Sequence, residues 1–62
     1  MNDYHIRIER TPYPGWQRWA ATLYGGFHVI DIWYGSTRDS ALRQAQGYCR
    51  RYHGHEEEVR ND

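Results

Sequence analysis

Lysine is absent from this 62-residue chain, and all eight basic residues are arginine. Cysteine, phenylalanine and methionine occur once each, and proline twice. A single cysteine excludes an internal disulfide. With no CxxC pair and no cysteine/histidine finger spacing, a structural zinc is not expected either. No apolar run approaches the ~20 residues of a membrane-spanning helix, so no membrane partner is expected. The opening MNDYHIRIER lacks a basic cluster followed by an apolar stretch and does not read as a signal peptide. With a lone thiol, that composition predicts a cytoplasmic protein. The formal net charge is zero, which weighs against a general attraction to nucleic acid. Phosphate-cradling glycine loops, a Ser-His-Asp order and paired carboxylates are also missing. The expectation is no enzyme and no cofactor, since a domain this small has little room for a pocket of ~300 Å³.

What is abundant is aromatic surface. Aromatic residues make up 16% of the chain, with three tryptophans and six tyrosines. Each ring brings about 150–250 Å² of burial, so a few of them must supply most of the core of a domain whose size makes it marginal. The charge that is present is unevenly placed. Ser36–His55 carries four arginines and one aspartate, whereas Glu56–Asp62 carries four acids and one arginine. Arginine without lysine fits the codon bias of a GC-rich genome. The functional alternative is that planar guanidinium groups suit carboxylate, phosphate or aromatic partners.

Tyr4-His-Ile-Arg-Ile-Glu9 alternates strictly, the mark of a half-buried strand. Thr11-Pro-Tyr-Pro-Gly15 ends it, because proline cannot continue a ladder. Trp16–Tyr24 and Phe27–Tyr34 read as two further strands joined by a Gly25-Gly26 turn, glycines tolerating the positive φ of tight hairpins. Ser36 or Thr37 caps a helix with Asp39 in its first turn. Ala41, Leu42, Ala45, Tyr48, Cys49 and Tyr52 form its apolar stripe. Gly47 weakens it by up to ~1 kcal/mol, and Gly54 follows its end. The fold class is α+β, a three-stranded antiparallel meander with one helix across one face (β-β-β-α). Residues 1–54 form the domain and 55–62 a polar, frayed, acidic tail.

The helix-facing side should hold Tyr4, Ile6, Ile8, Trp19, Ala21, Leu23, Ile30 and Ile32, against Leu42, Ala45, Cys49 and Tyr52. The outer face would then hold His5, Arg7, Glu9, Trp16, Arg18, Thr22, Tyr24, Phe27, Val29, Asp31 and Trp33. A contiguous apolar patch of that kind on a small protein marks an interaction site. The alternatives are that the Thr11–Gly15 loop or the tail covers it, or that the register is inverted by one residue. Expected partner-binding residues are Trp16, Arg18, Tyr24, Phe27, Asp31 and Trp33, with Glu56, Glu57 and Glu58 addressing a basic groove. The acidic run could equally be solvated or pair with the arginine side of the helix. Arg43, Arg50 and Arg51 form a secondary basic face. His53-x-His55-Glu56 is a weak metal pattern, and Cys49 reads as a small core residue. The expected partner is a larger protein or protein–RNA complex; a second copy through the outer sheet face is the alternative, and nucleic acid alone is less favoured.

Tyr4–Arg10 as first strand, Gly15-Trp16 opening the second and Thr37-Arg-Asp-Ser-Ala-Leu42 starting the helix resemble the small HicB-like antitoxin fold over residues 4–52. That resemblance implies toxin binding. In general type, a very short, arginine-only single domain without enzyme signatures is similar to phage anti-CRISPR inhibitors. This implies occlusion of a host nucleic-acid-targeting complex in the host cytosol. An RNA-binding sheet module is the further alternative.

Overall fold

The computed structural model describes residues 3–61. Its elements are β1 (Tyr4–Arg10), a 3-10 turn (Gly15–Gln17), β2 (Trp19–Gly25), β3 (His28–Gly35), α1 (Arg38–His53) and β4 (Glu58–Asn61). The sheet order is β3-β2-β1-β4. β1 pairs antiparallel with β2 and β2 antiparallel with β3, while β4 runs parallel to β1. Three antiparallel strands and one helix are therefore present as the sequence predicts, with a fourth strand in addition.

The fourth strand is a correction, since Glu58–Asn61 of the expected frayed tail form β4. The Gln46 side-chain amide grips the Glu57 backbone from both sides: Nε2 donates to the Glu57 carbonyl at 3.1 Å, and Oε1 accepts from the Glu57 N–H at 3.2 Å. The chain is thereby aimed back along β1, where His5 to Ile8 pair with Glu58 to Asn61. Val59 packs on the core, and the Arg38 guanidinium donates to Asn61 Oδ1. Asp62 lies outside the described residues.

The core is small: Ile6, Ile8, Ala21, Leu23, Ala41, Ala45 and Cys49, flanked by Tyr4, Trp19, Trp33, Leu42, Tyr48 and Val59. Alternation in β1 and β2 delivers the first four to the helix side. On the helix, Ala41, Ala45 and Cys49 recur every four residues and are buried. Their small side chains let α1 lie close to the sheet. The approach is tightest at Gly35, where a Cβ would come within 2.6 Å of the Ala41 backbone nitrogen. Gln44 Nε2 donates to the Tyr34 carbonyl at 2.7 Å and fixes the same junction. Thr37 is the N-cap, its hydroxyl accepting from the Ser40 N–H at 3.0 Å, and Gly54 ends the helix in the left-handed region. Tyr52 is not a core residue as expected; it is 65% exposed and leans on Tyr48 at a ring separation of 4.6 Å.

Two details of the hairpin depart from the sequence expectation. The turn is Gly26-Phe27, because Gly25 still pairs with His28 at the end of β2. Gly25 lies close to two side chains: a Cβ there would be 2.8 Å from Ile30 Cδ1 and 3.0 Å from the Tyr4 ring, so the Ile30 tip would have to shift. Further along, β3 carries a bulge. Leu23 pairs with Asp31 but Tyr24 pairs with Val29, which leaves Ile30 without a partner across the ladder. One extra residue reverses the alternation beyond it. Ile32 therefore faces outward beside Thr22, and Trp33 faces the helix beside Ala21. Trp33, expected on the outer face, instead packs against Tyr48 with ring centroids 5.1 Å apart. Ile30 and Ile32, expected in the core, are 41% and 39% exposed.

Candidate functional site

α1 covers one face of the sheet. The other is built from residues that pair across the strands: His5, Arg7 and Glu9 of β1; Ala20, Thr22 and Tyr24 of β2; Val29, Ile32 and Tyr34 of β3; Glu58 and Arg60 of β4. The β2–β3 half is apolar and aromatic, and the β1–β4 half is charged with both signs.

Thr11 holds the loop between β1 and β2 over this face. Its N–H donates to the Arg18 carbonyl at 2.8 Å, its hydroxyl donates to the Gln17 carbonyl, and the same oxygen accepts from the Tyr13 N–H at 3.2 Å. Pro12 and Pro14 restrict the backbone on either side of Tyr13. The result is a cleft of about 230 Å³. Ala20 and Thr22 form its floor, Pro12, Tyr13, Ile32 and Tyr34 its walls, and Glu9 part of its rim. Ala20 and Thr22 are buried although they point away from the helix. Trp16 stands edge-on to Tyr34 with ring centroids 6.2 Å apart and is itself 67% exposed. At the other end of the face His5 stacks on Tyr24, 5.1 Å between centroids and 13° between planes. Phe27, at the hairpin tip, is fully exposed. The loop thus narrows the open face into a cleft without closing it.

Of the six residues expected to anchor a partner on the outer face, Tyr24 lies on it, Trp16 borders it through Tyr34, and Phe27 stands at its end. Arg18 is exposed where β2 begins. Trp33 is on the helix side. Asp31 sits at the bulge, where its carboxylate accepts the Ile32 N–H at 2.8 Å. Sequence reading missed Tyr13, Ile32 and Tyr34 as members of the site. Proline on both sides of Tyr13 was the available signal for the first, and no sequence signal marks the bulge that exposes the other two.

The acidic run does not form one surface, because its three carboxylates go three ways. Glu56 pairs with Arg50. Glu58 pairs with Arg60 at 2.8 Å, which lowers the pKa of the carboxyl and raises that of the guanidinium. The Glu57 side chain is only 6% exposed and lies between His53 Nδ1 at 2.7 Å and His55 Nε2 at 3.2 Å. Glu57, rather than Glu56, is the carboxylate that meets the two histidines. Of the secondary basic face, Arg43 and Arg51 are exposed, while Arg50 is neutralised by Glu56. Cys49 is buried, and burial first, then the nearby Glu57 carboxylate, push its thiol pKa up, the opposite of what a nucleophile needs. Among the described residues, no group of three or more His, Cys, Asp or Glu is placed to hold a metal ion, and no helix is long and apolar enough to cross a membrane.

Comparison of the chain with protein-family models, with curated proteins and with solved structures finds no match.

Proposed function

We propose that this chain is a non-catalytic protein-binding module that docks the outer face of its sheet on a larger partner and blocks it. The type is that of a phage or mobile-element inhibitor, anti-CRISPR-like, and the partner a host complex that targets nucleic acid in the cytoplasm. One observation carries the reading: the sheet face that no helix covers presents Tyr13, Val29 and Ile32, each 39–56% exposed, with Trp16 at its border. Burying such groups costs little solvation and yields about 25 cal/mol per Å² of apolar area, and aromatics around a pocket are the commonest anchors of protein interfaces. The internally paired Glu56, Glu57 and Glu58 take a smaller part than the sequence suggests. Contact rests on rings and aliphatic groups, with the charged β1–β4 half as rim.

The test is a plaque assay in cells whose CRISPR system restricts the infecting phage. Expression of the chain should restore plaques, and the double variant Trp16→Ser/Ile32→Glu, folded by circular dichroism, should not. A folded double variant that inhibits as well as the parent would remove the outer face from the mechanism. Binding of the chain to single-stranded RNA that weakens steeply with salt would replace occlusion with the RNA-binding alternative. Neutralisation of a small basic toxin would favour the HicB-like alternative.

A further inference from the structure

We infer that, when no larger partner is bound, the outer face is covered by a second copy of this chain, with Phe27 of each copy seated in the cleft of the other. The inference rests on the reading of this face as a docking surface and adds its regulation: the dimer masks the surface that the partner needs.

Three features point to a second copy. The first is complementarity of shape between the two ends of the face. The cleft lies at the end where β2 begins, walled by Pro12, Tyr13, Ile32 and Tyr34. Phe27 lies at the opposite end, where β2 gives way to β3, and borders the same hollow as His5, Glu58 and Arg60 of the outer face. Stacking two such sheets face to face about a two-fold axis perpendicular to the strands superposes opposite ends. Each projecting ring then meets a cleft, and the contact is isologous, as two-fold interfaces require. At about 230 Å³ the cleft is smaller than the ~300–1,000 Å³ of ligand pockets and on the scale of one aromatic side chain.

The second feature is area. Tyr13, Trp16 and Phe27 are 56%, 67% and 101% exposed. A fully exposed aromatic presents about 150–250 Å², so these three rings leave roughly 350–550 Å² open. Val29 and Ile32 and the ring faces of Tyr24 and Tyr34 bring the apolar patch toward the ~800 Å² per partner of a standard-size interface.

Charge is the third. The formal net charge is zero, so two copies do not repel each other as a whole. Along the strands of the charged half, Glu58 beside His5, Arg7 beside Arg60, and then Glu9 follow one another, so each copy presents both signs of charge there.

Phe27 is also the position where the test is cleanest, because its side chain is fully exposed. Sedimentation equilibrium from micromolar to millimolar protein should show a monomer–dimer equilibrium for the parent chain. Phe27→Ser should keep the circular dichroism spectrum and raise the dimer dissociation constant at least about tenfold, or ~1.4 kcal/mol. Ile32→Glu, in the cleft wall, should do the same. Isotope-filtered NOEs in a mixed labelled sample should connect the Phe27 ring of one copy with the Ile32 methyls of the other. A parent chain that stays monomeric at millimolar concentration would overturn the inference. So would a dimer that Phe27→Ser and Ile32→Glu leave equally tight. Both outcomes leave the docking reading standing, since that reading is tested separately by inhibition in the plaque assay with Trp16→Ser/Ile32→Glu.

Discussion

Replacing Gly35 or Gly47 by alanine should change stability in opposite directions. Gly35 ends β3 where the chain turns into α1. An added Cβ would meet the Ala41 backbone nitrogen at 2.6 Å, Ser40 Oγ at 2.8 Å and Ser40 Cβ at 2.9 Å. Ordinary contact begins several tenths of an ångström further out. The nearest atom belongs to the backbone of a helix whose buried Ala41, Ala45 and Cys49 define its seat, so no side chain can swing aside. α1 must lift at its N-terminal end and loosen the Ala41 contact and the Gln44 bond to the Tyr34 carbonyl. Overpacking of this kind costs about 1–3 kcal/mol, against which the stiffer unfolded chain returns only about 0.4–1. A 62-residue domain has roughly 3–9 kcal/mol in total. The melting temperature should fall by roughly 5–20 °C. Gly47 is the internal control: it sits in the middle of α1 with nothing within 4 Å of an added Cβ. Alanine there should stabilise by about 0.5–1 kcal/mol through helix propensity alone. Urea titrations followed by tryptophan fluorescence would give both values. A Gly35→Ala protein as stable as its parent would show that the helix does not need its close seat on the sheet. A destabilised Gly47→Ala would show that the helix has no open flank there.

The two tryptophans at opposite faces should part company in the same titration. Trp33→Ala loses a ring packed on Tyr48 beside the core and should cost about 2–4 kcal/mol, whereas Trp16→Ala should cost less than about 1 kcal/mol. Equal losses would mean that the bulge does not set the faces as described. Cys49 gives a pH dependence. Its thiol pKa stands above the ordinary 9.0 in the folded chain, so above pH 9.0 the unfolded chain gives up its proton first and folding stability declines, while below 9.0 the contribution is fully present. Cys49→Ala should lack that alkaline decline, measured by urea titration from neutral to alkaline pH, and an unchanged slope would refute the assignment.

Much of this architecture is legible in the sequence, and the reasons are local. Alternation in Tyr4–Glu9 places Ile6 and Ile8 on one side whatever lies around them. The Thr37 cap, the Ala41-Ala45-Cys49 stripe and Gly54 define α1 through short-range hydrogen bonds and helical period. The proline-bounded Thr11–Gly15 segment can only be a loop. These features depend on neighbours within a few residues, and the sequence by itself determined them.

Tertiary structure decided the rest. Glu58-Val59-Arg60-Asn61 has one apolar residue and no strand signature; it becomes β4 because Gln46, eleven residues earlier, captures the Glu57 backbone, and because the free edge of β1 offers a ladder. Glu56, Glu57 and Glu58 look alike in sequence, yet Arg50, the His53–His55 pair and Arg60 draw them to three separate places. Which of Ile32 and Trp33 faces the core turns on a one-residue bulge opposite Leu23 and Tyr24. Side-chain period alone cannot report that slip, because both faces of the strand are apolar. The outer face, and with it the candidate site, is set by that slip and by a loop that stops short of covering it.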